Sequence, residues 1–444
     1  MQGSLVSVQM KSFFKPVYLH ILFVLYSLYL LQALTFPLGA KLFAGLLLLL
    51  GLVLAGSCVV RSKVSLFQFD REERFLLTSF ALFSLVSIMS FFYWPHSREA
   101  QMRLEDYGTF LLLLPLFLVL RQIQFKFLHL VILLAVVATV LGVVSIIQYV
   151  SMKYFGQYVL TGESRMSHFW LRPSGGVNPM RYGAISLIFA CFALNGVLLI
   201  RNKTGWLKAL LGLAVGLALV ACLLAKVRGS WLALPVLMVA YGGYLYMAGH
   251  PRFMLGLLVG GILTIFAVSQ TQVVQSRVNL AVANVQDYID GNAQTSLGAR
   301  LDMFKASGIL ISQKPLWGHG LNSYSSKATE IRKATPGMSY EVGMWHNPHN
   351  EILQVMVEKG VVGLITLILL FAAPAYMFVK ALCDRRVEVR YYAMNGLAIL
   401  IVYAVAGQSV ALFEHDVFNH FFALMILLFA SQISSFERGD ELAG

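Results

Sequence analysis

The sequence predicts an all-α, polytopic membrane protein. Hydrophobic residues make up 58% of the 444 residues and charged residues only 12%, and the mean hydropathy is +0.73. Soluble chains do not combine these values. Apolar runs of about 20 residues, the length of a bilayer-crossing helix, recur almost from end to end. Their periodicity is helical or featureless rather than alternating, which favours helices over membrane strands.

About twelve transmembrane helices are predicted, and they divide the chain into three parts. Residues 1–269 carry the first nine helices, and residues 270–348 form one large extracytoplasmic loop with short amphipathic helices. Residues 349–444 carry the last three helices and a cytoplasmic tail. The twelve predicted segments are 18–36, 39–60, 75–94, 107–121, 127–150, 179–200, 206–226, 230–248, 253–269, 349–380, 391–412 and 416–435.

The distribution of positive charge predicts how the chain is oriented. The net charge is +13, but the basic residues gather in the loops of one membrane side, for example at Arg61 and Lys63 and at Arg385 and Arg386. Cytoplasmic loops carry such an excess, so both termini are predicted to be cytoplasmic and loop 270–348 to face outward. Topology thus accounts for the charge, and membrane lipids rather than nucleic acid are the expected surroundings.

The segment from Trp345 to Gly363 joins the long loop to the tenth predicted helix. Asn347 suits an N-cap and Pro348 the first helical position, which would place His349 in the first helical turn. The positive end of the helix dipole disfavours imidazolium there, so His349 is predicted to be neutral and able to accept a proton. The alternative is an interfacial histidine that only caps the helix.

A second group of candidates consists of arginines on the outward side. Arg172 and Arg181 flank the start of the sixth predicted helix, Arg228 lies between the seventh and eighth, and Arg300 lies on a loop helix. Positive residues on the translocated side run against the orientation rule, which suggests another use for them. Because guanidinium groups bind phosphate oxygens in pairs, a lipid pyrophosphate is the expected ligand. The alternative for each arginine is snorkelling to lipid phosphates or an ion pair.

Other polar residues are weaker candidates. His346 precedes the candidate base and could orient it, and His319 lies in a turn-rich segment, 315–323, whose backbone N–H groups could cradle a phosphate. Acidic residues at 105–106 and 414–416 could hold a metal ion, but no pair of acids stands beside the arginines or His349. We therefore predict no metal and no cofactor.

These motifs resemble those of bacterial O-antigen ligases. His349-Asn350, nine residues, then Gly360-x-x-Gly363 resembles the signature of that family. Three shorter segments resemble other motifs of the O-antigen ligase and polymerase superfamily. They are Arg-Gly-Ser-Trp at 228–231, Ser-x-x-x-Arg at 296–300 and Gly-x-Gly at 318–320. Two glycines one turn apart are also expected to let another helix pack closely.

The resemblance implies a function and a site. It implies transfer of a glycan from undecaprenyl pyrophosphate to the lipid A core oligosaccharide, on the periplasmic face of the bacterial inner membrane. It implies a metal-independent reaction, a fold like that of C-type glycosyltransferases, His349 as general base, and Arg228 and Arg300 as pyrophosphate ligands. Arg181 joins them from its place at a helix start, and Asn350, His346, Arg172 and His319 are possible supporting residues.

Alternative functions remain open. An O-antigen polymerase or a protein O-oligosaccharyltransferase would perform the same chemistry on another acceptor. A transporter or anion channel would line a path with arginines, but the span interiors carry almost no ionisable groups, which disfavours translocation. A structural scaffold would need neither the arginines nor the histidine.

Overall fold

The computed structural model describes residues 16–32, 37–61, 68–92, 98–155, 173, 179–200, 205–270 and 272–441, and within these residues it contains helices and no strand. The helices are α1 Pro16–Gln32, α2 Pro37–Arg61, α3 Arg71–Phe91, α4 Arg98–Leu112, α5 Leu114–Leu120, α6 Phe127–Phe155, α7 Pro179–Leu199, α8 Gly205–Leu224, α9 Arg228–Trp231, α10 Ala233–Met247, α11 Pro251–Ser269, α12 Gln272–Ile289, α13 Ser296–Gln313, α14 Tyr324–Ala334, α15 Glu351–Ala381, α16 Val387–Ala406 and α17 Asp416–Glu441.

The all-helical membrane architecture is as predicted. Eight helical segments of the described residues are long and apolar enough to cross a bilayer, and shorter apolar segments lie in α1, α2 and α11. The eight are α3, α6, α7, α8, the segment Gly229–Met247, α15, α16 and α17. The count of twelve and the outward side of the long loop stay predictions.

Helix α17 forms the centre of the bundle, because 94% of its apolar segment is buried. Around it, α3 packs against α4 and α15, and α8 packs against α6 and α7. Phe413, just before α17, meets Phe83 of α3 and Phe110 of α4 at ring distances of 5.8 and 5.7 Å. Such aromatic contacts fix how the helix ends sit against one another, beyond the area they bury.

The predicted loop 270–348 consists largely of helices. Thr295 caps α13 by accepting a hydrogen bond from the backbone N–H of Gly298 (3.0 Å), so the loop helix predicted at Arg300 is present and continues to Gln313. Buried apolar side chains of α13 and α14 form a small core of their own, which also includes Val357 of α15. The loop therefore folds onto the bundle at α15.

Helix α15 begins later than the sequence predicted, so the placement of His349 in a helical turn was wrong. The N-cap is Asn350, whose side chain accepts from the backbone N–H of Leu353 (3.0 Å). Asn347 caps a turn instead, because its Oδ1 accepts from the N–H of His349 (2.8 Å). His349 has a left-handed backbone with φ 55°, a conformation that costs an L-residue energy and needs support from its surroundings.

Gly360 interrupts α15 at a point where a loop, rather than another helix, packs against it. Its φ of 63° is non-helical, and a Cβ there would overlap the carbonyl group of Leu316. The backbone N–H groups of Val361 and Val362 donate to the carbonyls of Pro315 and Leu316 (2.8 and 3.2 Å). The expected helix packing at both glycines was therefore wrong, and a Cβ at Gly363 would meet Lys359 and Val355 of α15 itself.

The same loop cannot cradle a phosphate as the sequence suggested, because its N–H groups are already engaged. Those of His319 and Gly320 donate to the carbonyls of Val357 and Glu358 (2.8 and 2.9 Å). A Cβ at Gly318 would lie 2.5 Å from the backbone nitrogen of Lys359. The Gly-x-Gly segment thus docks backbone to backbone on the break in α15.

Candidate active site

The ring of His349 is partly buried beside the indole of Trp345, with ring centroids 5.9 Å apart. Its Nδ1 atom is buried and has no hydrogen-bond partner among the described residues. Buried polar atoms in folded proteins are nearly always paired, so this ring nitrogen is available to a hydrogen-bond donor. A substrate hydroxyl is a donor of that kind.

Burial and neighbouring charges set the protonation of His349. Burial lowers the pKa of the ring below its ordinary value, and the positive charge of Arg300 lowers it further, while the carboxylates of Glu414 and Glu341 raise it. A neutral imidazole at neutral pH follows, since the net direction is downward. The sequence predicted this direction from the helix dipole, whereas burial and Arg300 are the causes in the structure. Arg300 of α13 therefore lies close to the candidate base.

A buried ion-pair network lies behind His349. Arg103 of α4 donates from Nη2 to Oε1 of Glu414 (2.5 Å) and from Nη1 to Oε1 of Glu358 (3.2 Å). The side chains are 9%, 6% and 0% exposed, respectively, so water screens neither pair well. The second oxygen of Glu414 accepts from Nδ2 of Asn347. The network thus reaches the turn that carries His349.

Glu358 is the deepest acid of this network. Besides Arg103, its Oε1 accepts from Nε2 of Gln354 (2.6 Å) and from the backbone N–H of Asn322 (2.8 Å). A buried carboxylate needs several such donors to offset the loss of hydration. Through these hydrogen bonds, Glu358 links α4, α15 and residues 315–322, which we call the docked loop.

Lys359 and Glu351 complete the charges of α15. Nζ of Lys359 is buried over the ring of Tyr107, 3.5 Å from its centroid, and 5.0 Å from that of Phe83. Glu351 accepts from the backbone N–H of Phe413 (3.1 Å) and donates its own N–H to the carbonyl of Gly407 (2.7 Å). Cation–π contact and backbone donors thus replace water around two buried charges.

The structure brings Arg181 to the same cluster. Arg181 begins α7 as predicted, is 7% exposed, and lies 5.6 Å from the ring centroid of Phe418. Its charge interacts with those of Glu414 and Glu351. The charge of Glu414 therefore acts on His349, Arg103 and Arg181, and that of Arg300 acts on His349.

The structure describes the backbone of Arg228 but not its side chain. It begins α9, and a Cβ on the next residue, Gly229, would overlap the hydroxyl of Ser409. That serine follows Gln408, whose backbone carbonyl accepts from Nδ2 of Asn350 (3.3 Å). The start of α9 thus lies at the end of the bundle that holds the site.

The remaining predicted residues have different positions. Arg172 lies outside the described residues. Asn350 caps α15, His346 is exposed, and His319 is buried with Nε2 2.8 Å from the carbonyl oxygen of Leu310. Since His319 holds the end of α13 to the docked loop, its position is that of a structural residue.

Sequence reasoning missed several members of the cluster. It overlooked Arg103, Glu358 and Lys359, and it considered Glu414 only as a possible metal ligand. Consecutive charges within a predicted span were the available signal, since ionisable residues inside spans are expensive and frequently functional. The expectation that span interiors carry almost no ionisable groups was therefore wrong in α15.

Comparison with known proteins finds a family match over part of the chain. Residues 213–368 match the family model described as O-antigen ligase. Over this segment, the chain is similar to the O-antigen ligase family. A Haemophilus influenzae protein described as uncharacterized is 24% identical over 420 residues, which covers 91% of this chain and 96% of that protein.

The family match has consequences for the site. The O-antigen ligase segment contains Arg228, Arg300 and His349 but neither Arg103 nor Glu414. Similarity to this family favours an enzyme of the O-antigen ligase or polymerase type. The several apolar helices fit a multi-pass protein of the bacterial inner membrane.

Proposed function

We propose that the protein is an O-antigen ligase that transfers a glycan from undecaprenyl pyrophosphate to the lipid A core oligosaccharide, on the periplasmic face of the inner membrane. The proposal rests on the ring of His349, which is partly buried, has an unpartnered Nδ1, and has a pKa lowered by burial and by the nearby charge of Arg300. Both residues lie within the segment that matches the family.

His349 acts as the general base. The acceptor hydroxyl gives its proton to the ring nitrogen while its oxygen bonds to the anomeric carbon of the donor glycan. The bond from that carbon to the pyrophosphate oxygen breaks on the opposite side, so configuration inverts and undecaprenyl pyrophosphate leaves. A positioned base of this kind contributes about 10²–10⁴-fold. A trapped glycosyl-enzyme, or retained configuration in the product, would contradict this mechanism.

Arg300 and Arg228 bind the pyrophosphate, and Arg181 supports them. A guanidinium group contacts two phosphate oxygens at once and stabilises the charge that grows on the leaving group. Arg300 is best placed because it is an electrostatic neighbour of the base. The charge of Arg181 is partly balanced by Glu414 and Glu351, so we expect Arg181 to contribute less to pyrophosphate binding.

Reconstitution tests the proposal. The purified protein is mixed with a polyprenyl-pyrophosphate glycan, with and without lipid A core oligosaccharide, in the presence of a chelator. Glycan on the lipid A core, at a rate that the chelator does not change, supports a metal-independent ligase. Longer lipid-linked glycans made without lipid A core would identify a polymerase instead. Folded protein that transfers nothing in either mixture would contradict both and favour a transporter.

A further inference from the structure

One chain of contacts leads from Arg103 to His349. Arg103 holds one oxygen of Glu414, Asn347 donates to the other, and Oδ1 of Asn347 accepts from the backbone N–H of His349. The chain ends on a residue with a left-handed backbone, φ 55°. Such a backbone persists only where surrounding contacts hold it.

We infer that Glu414, fixed by Arg103, is a positioning residue for the base: through Asn347 it holds the turn that presents His349 to the acceptor hydroxyl. The inference rests on the proposed function, because it gives the turn a purpose in transfer. Glu414 touches no substrate in this role. It acts on the geometry of His349 through Asn347 and on its charge directly.

Two effects of Glu414 can be separated by substitution. Glu414→Gln keeps an oxygen that can accept from Asn347 but removes the negative charge, whereas Glu414→Ala removes both. The charged groups that face His349 are Arg300 from α13, Glu341 from the preceding loop, and Glu414. Since Glu414 is one of the two groups that raise the pKa of His349, its neutralisation should lower that pKa.

The expected kinetic results follow. Glu414→Gln should move the acidic limb of the pH–rate profile to lower pH. Glu414→Ala should in addition lower kcat by about tenfold or more, because a small displacement of a catalytic group is costly. The KM for the donor should change less than kcat in Glu414→Ala, since the main pyrophosphate ligands, Arg300 and Arg228, are unchanged.

The chain offers a matched control. Arg121 and Glu73 form another buried ion pair, 2.7 Å apart, at the opposite end of α3 from the docked loop. Glu73→Gln removes a buried charge without touching the turn, so it should lower the melting temperature and leave the pH profile in place. A Glu414→Gln profile identical to that of Glu73→Gln would overturn the inference.

A readout without turnover separates this inference from the proposed function. Deuterium exchange at the imidazole C2 carbon, followed by peptide mass spectrometry in a His346→Gln background, reports the pKa of His349. A lower pKa in Glu414→Gln supports the electrostatic contact even if wild-type protein transfers no glycan, and an unchanged pKa overturns it. If the Glu414 variants fail to fold, Asn347→Ala provides the kinetic test: full kcat in that variant overturns the inference.

A separate observation concerns the other end of the bundle. A cavity of about 720 Å³ lies between the first residues of α6 and α16, the last of α7, and the turn from α10 to α11. Helix α16 has 20 residues, so this cavity is about 30 Å from Gly407 and the candidate active site. It therefore lies at the opposite end of α16 from the candidate active site.

The lining of this cavity is amphipathic. Leu198, Leu199 and Val387 provide apolar wall, while Lys126, Arg390 and Glu388 provide charge. Nε of Arg390 is buried without a hydrogen-bond partner among the described residues. A narrower apolar cleft between α10 and α16, about 40 Å³, shares Tyr244 with the cavity.

We infer that this cavity binds an anionic phospholipid, with its phosphate at Lys126 and Arg390 and an acyl chain along the apolar wall. A basic pocket between helices at a membrane surface suits a lipid phosphate, and the cavity is of the size of a small-ligand site. The cleft beside Tyr244 continues the apolar wall between α10 and α16.

Native mass spectrometry of the purified protein tests this second inference. Phosphatidylglycerol should be retained several-fold more than phosphatidylcholine, and Lys126→Gln/Arg390→Gln should abolish the difference. Lys208→Gln/Arg385→Gln, which removes two exposed cations outside the cavity lining, should keep it. Equal retention of the two lipids, or unchanged preference in the cavity variant, would overturn the inference. Displacement by millimolar inorganic phosphate would assign the site to a free anion instead.

Discussion

Replacing Gly360 by alanine tests whether the break in α15 exists to dock the 315–320 loop. The added Cβ would lie 2.6 Å from the backbone nitrogen of Trp317 and would overlap the carbonyl group of Leu316. Both neighbours are backbone atoms, which cannot turn aside as a flexible side chain can. The loop must therefore move away from α15.

The size of the effect can be worked from the structure. A left-handed backbone costs an L-residue about 1–2 kcal/mol. The hydrogen bonds from Val361 to Pro315 and from Val362 to Leu316 would be lost, and a typical hydrogen bond contributes about 0.5–1.5 kcal/mol. Gly360→Ala should thus destabilise the protein by about 2–5 kcal/mol.

Thermal unfolding and glycan transfer measure the outcome. Gly212 lies in α8 with nothing within 4 Å of an added Cβ, so Gly212→Ala is a matched control expected to be neutral or slightly stabilising. Gly360→Ala should melt clearly below both the wild type and this control. Transfer should fall too, because the docked loop donates to Glu358 and so supports Arg103. Equal melting temperatures for the two alanine variants would refute the docking explanation.

Three further predictions concern the chemistry. His349→Ala should abolish transfer while donor binding stays largely intact, and near wild-type turnover would remove its assignment as base. Arg300→Ala should weaken donor binding, with only partial rescue by Arg300→Lys because a point charge replaces a two-pronged donor; full activity in the alanine variant would make Arg300 structural. Transfer should rise with pH through the lowered pKa of His349 and then stay level, since the neutral ring is the active form. Arg300→Gln removes a charge that lowers this pKa, so the limb should move to higher pH, and a pH–rate profile that does not move would contradict the assignment.

Much of the architecture was predictable because its causes are local. Hydropathy alone identifies a helix such as α6, whose apolar character is continuous along the chain. The start of α13 follows from Thr295, a good N-cap three residues before Gly298. The sequence left open whether Arg300 approaches His349, and the structure makes the two residues electrostatic neighbours.

The start of α15 shows where local reasoning is insufficient. Asn347 and Asn350 are both good N-caps, and Pro348 favours the earlier one. The choice falls on Asn350 because Asn347 is held elsewhere, by Glu414 on one side and by the N–H of His349 on the other. A partner 67 residues away in the chain thus decides a question that looks local.

The sequence by itself determined that this is a helical membrane protein with an O-antigen ligase signature, because hydropathy and motif spacing are properties of neighbouring residues. Only the tertiary structure decided which charges surround the base. Arg103 pairs with Glu358 and Glu414, which lie 255 and 311 residues further along the chain. The energy of a buried charge depends on such partners, which only folding brings together. Burial and distance, which set the pKa of His349 and the place of Glu414, do not exist until the helices have packed.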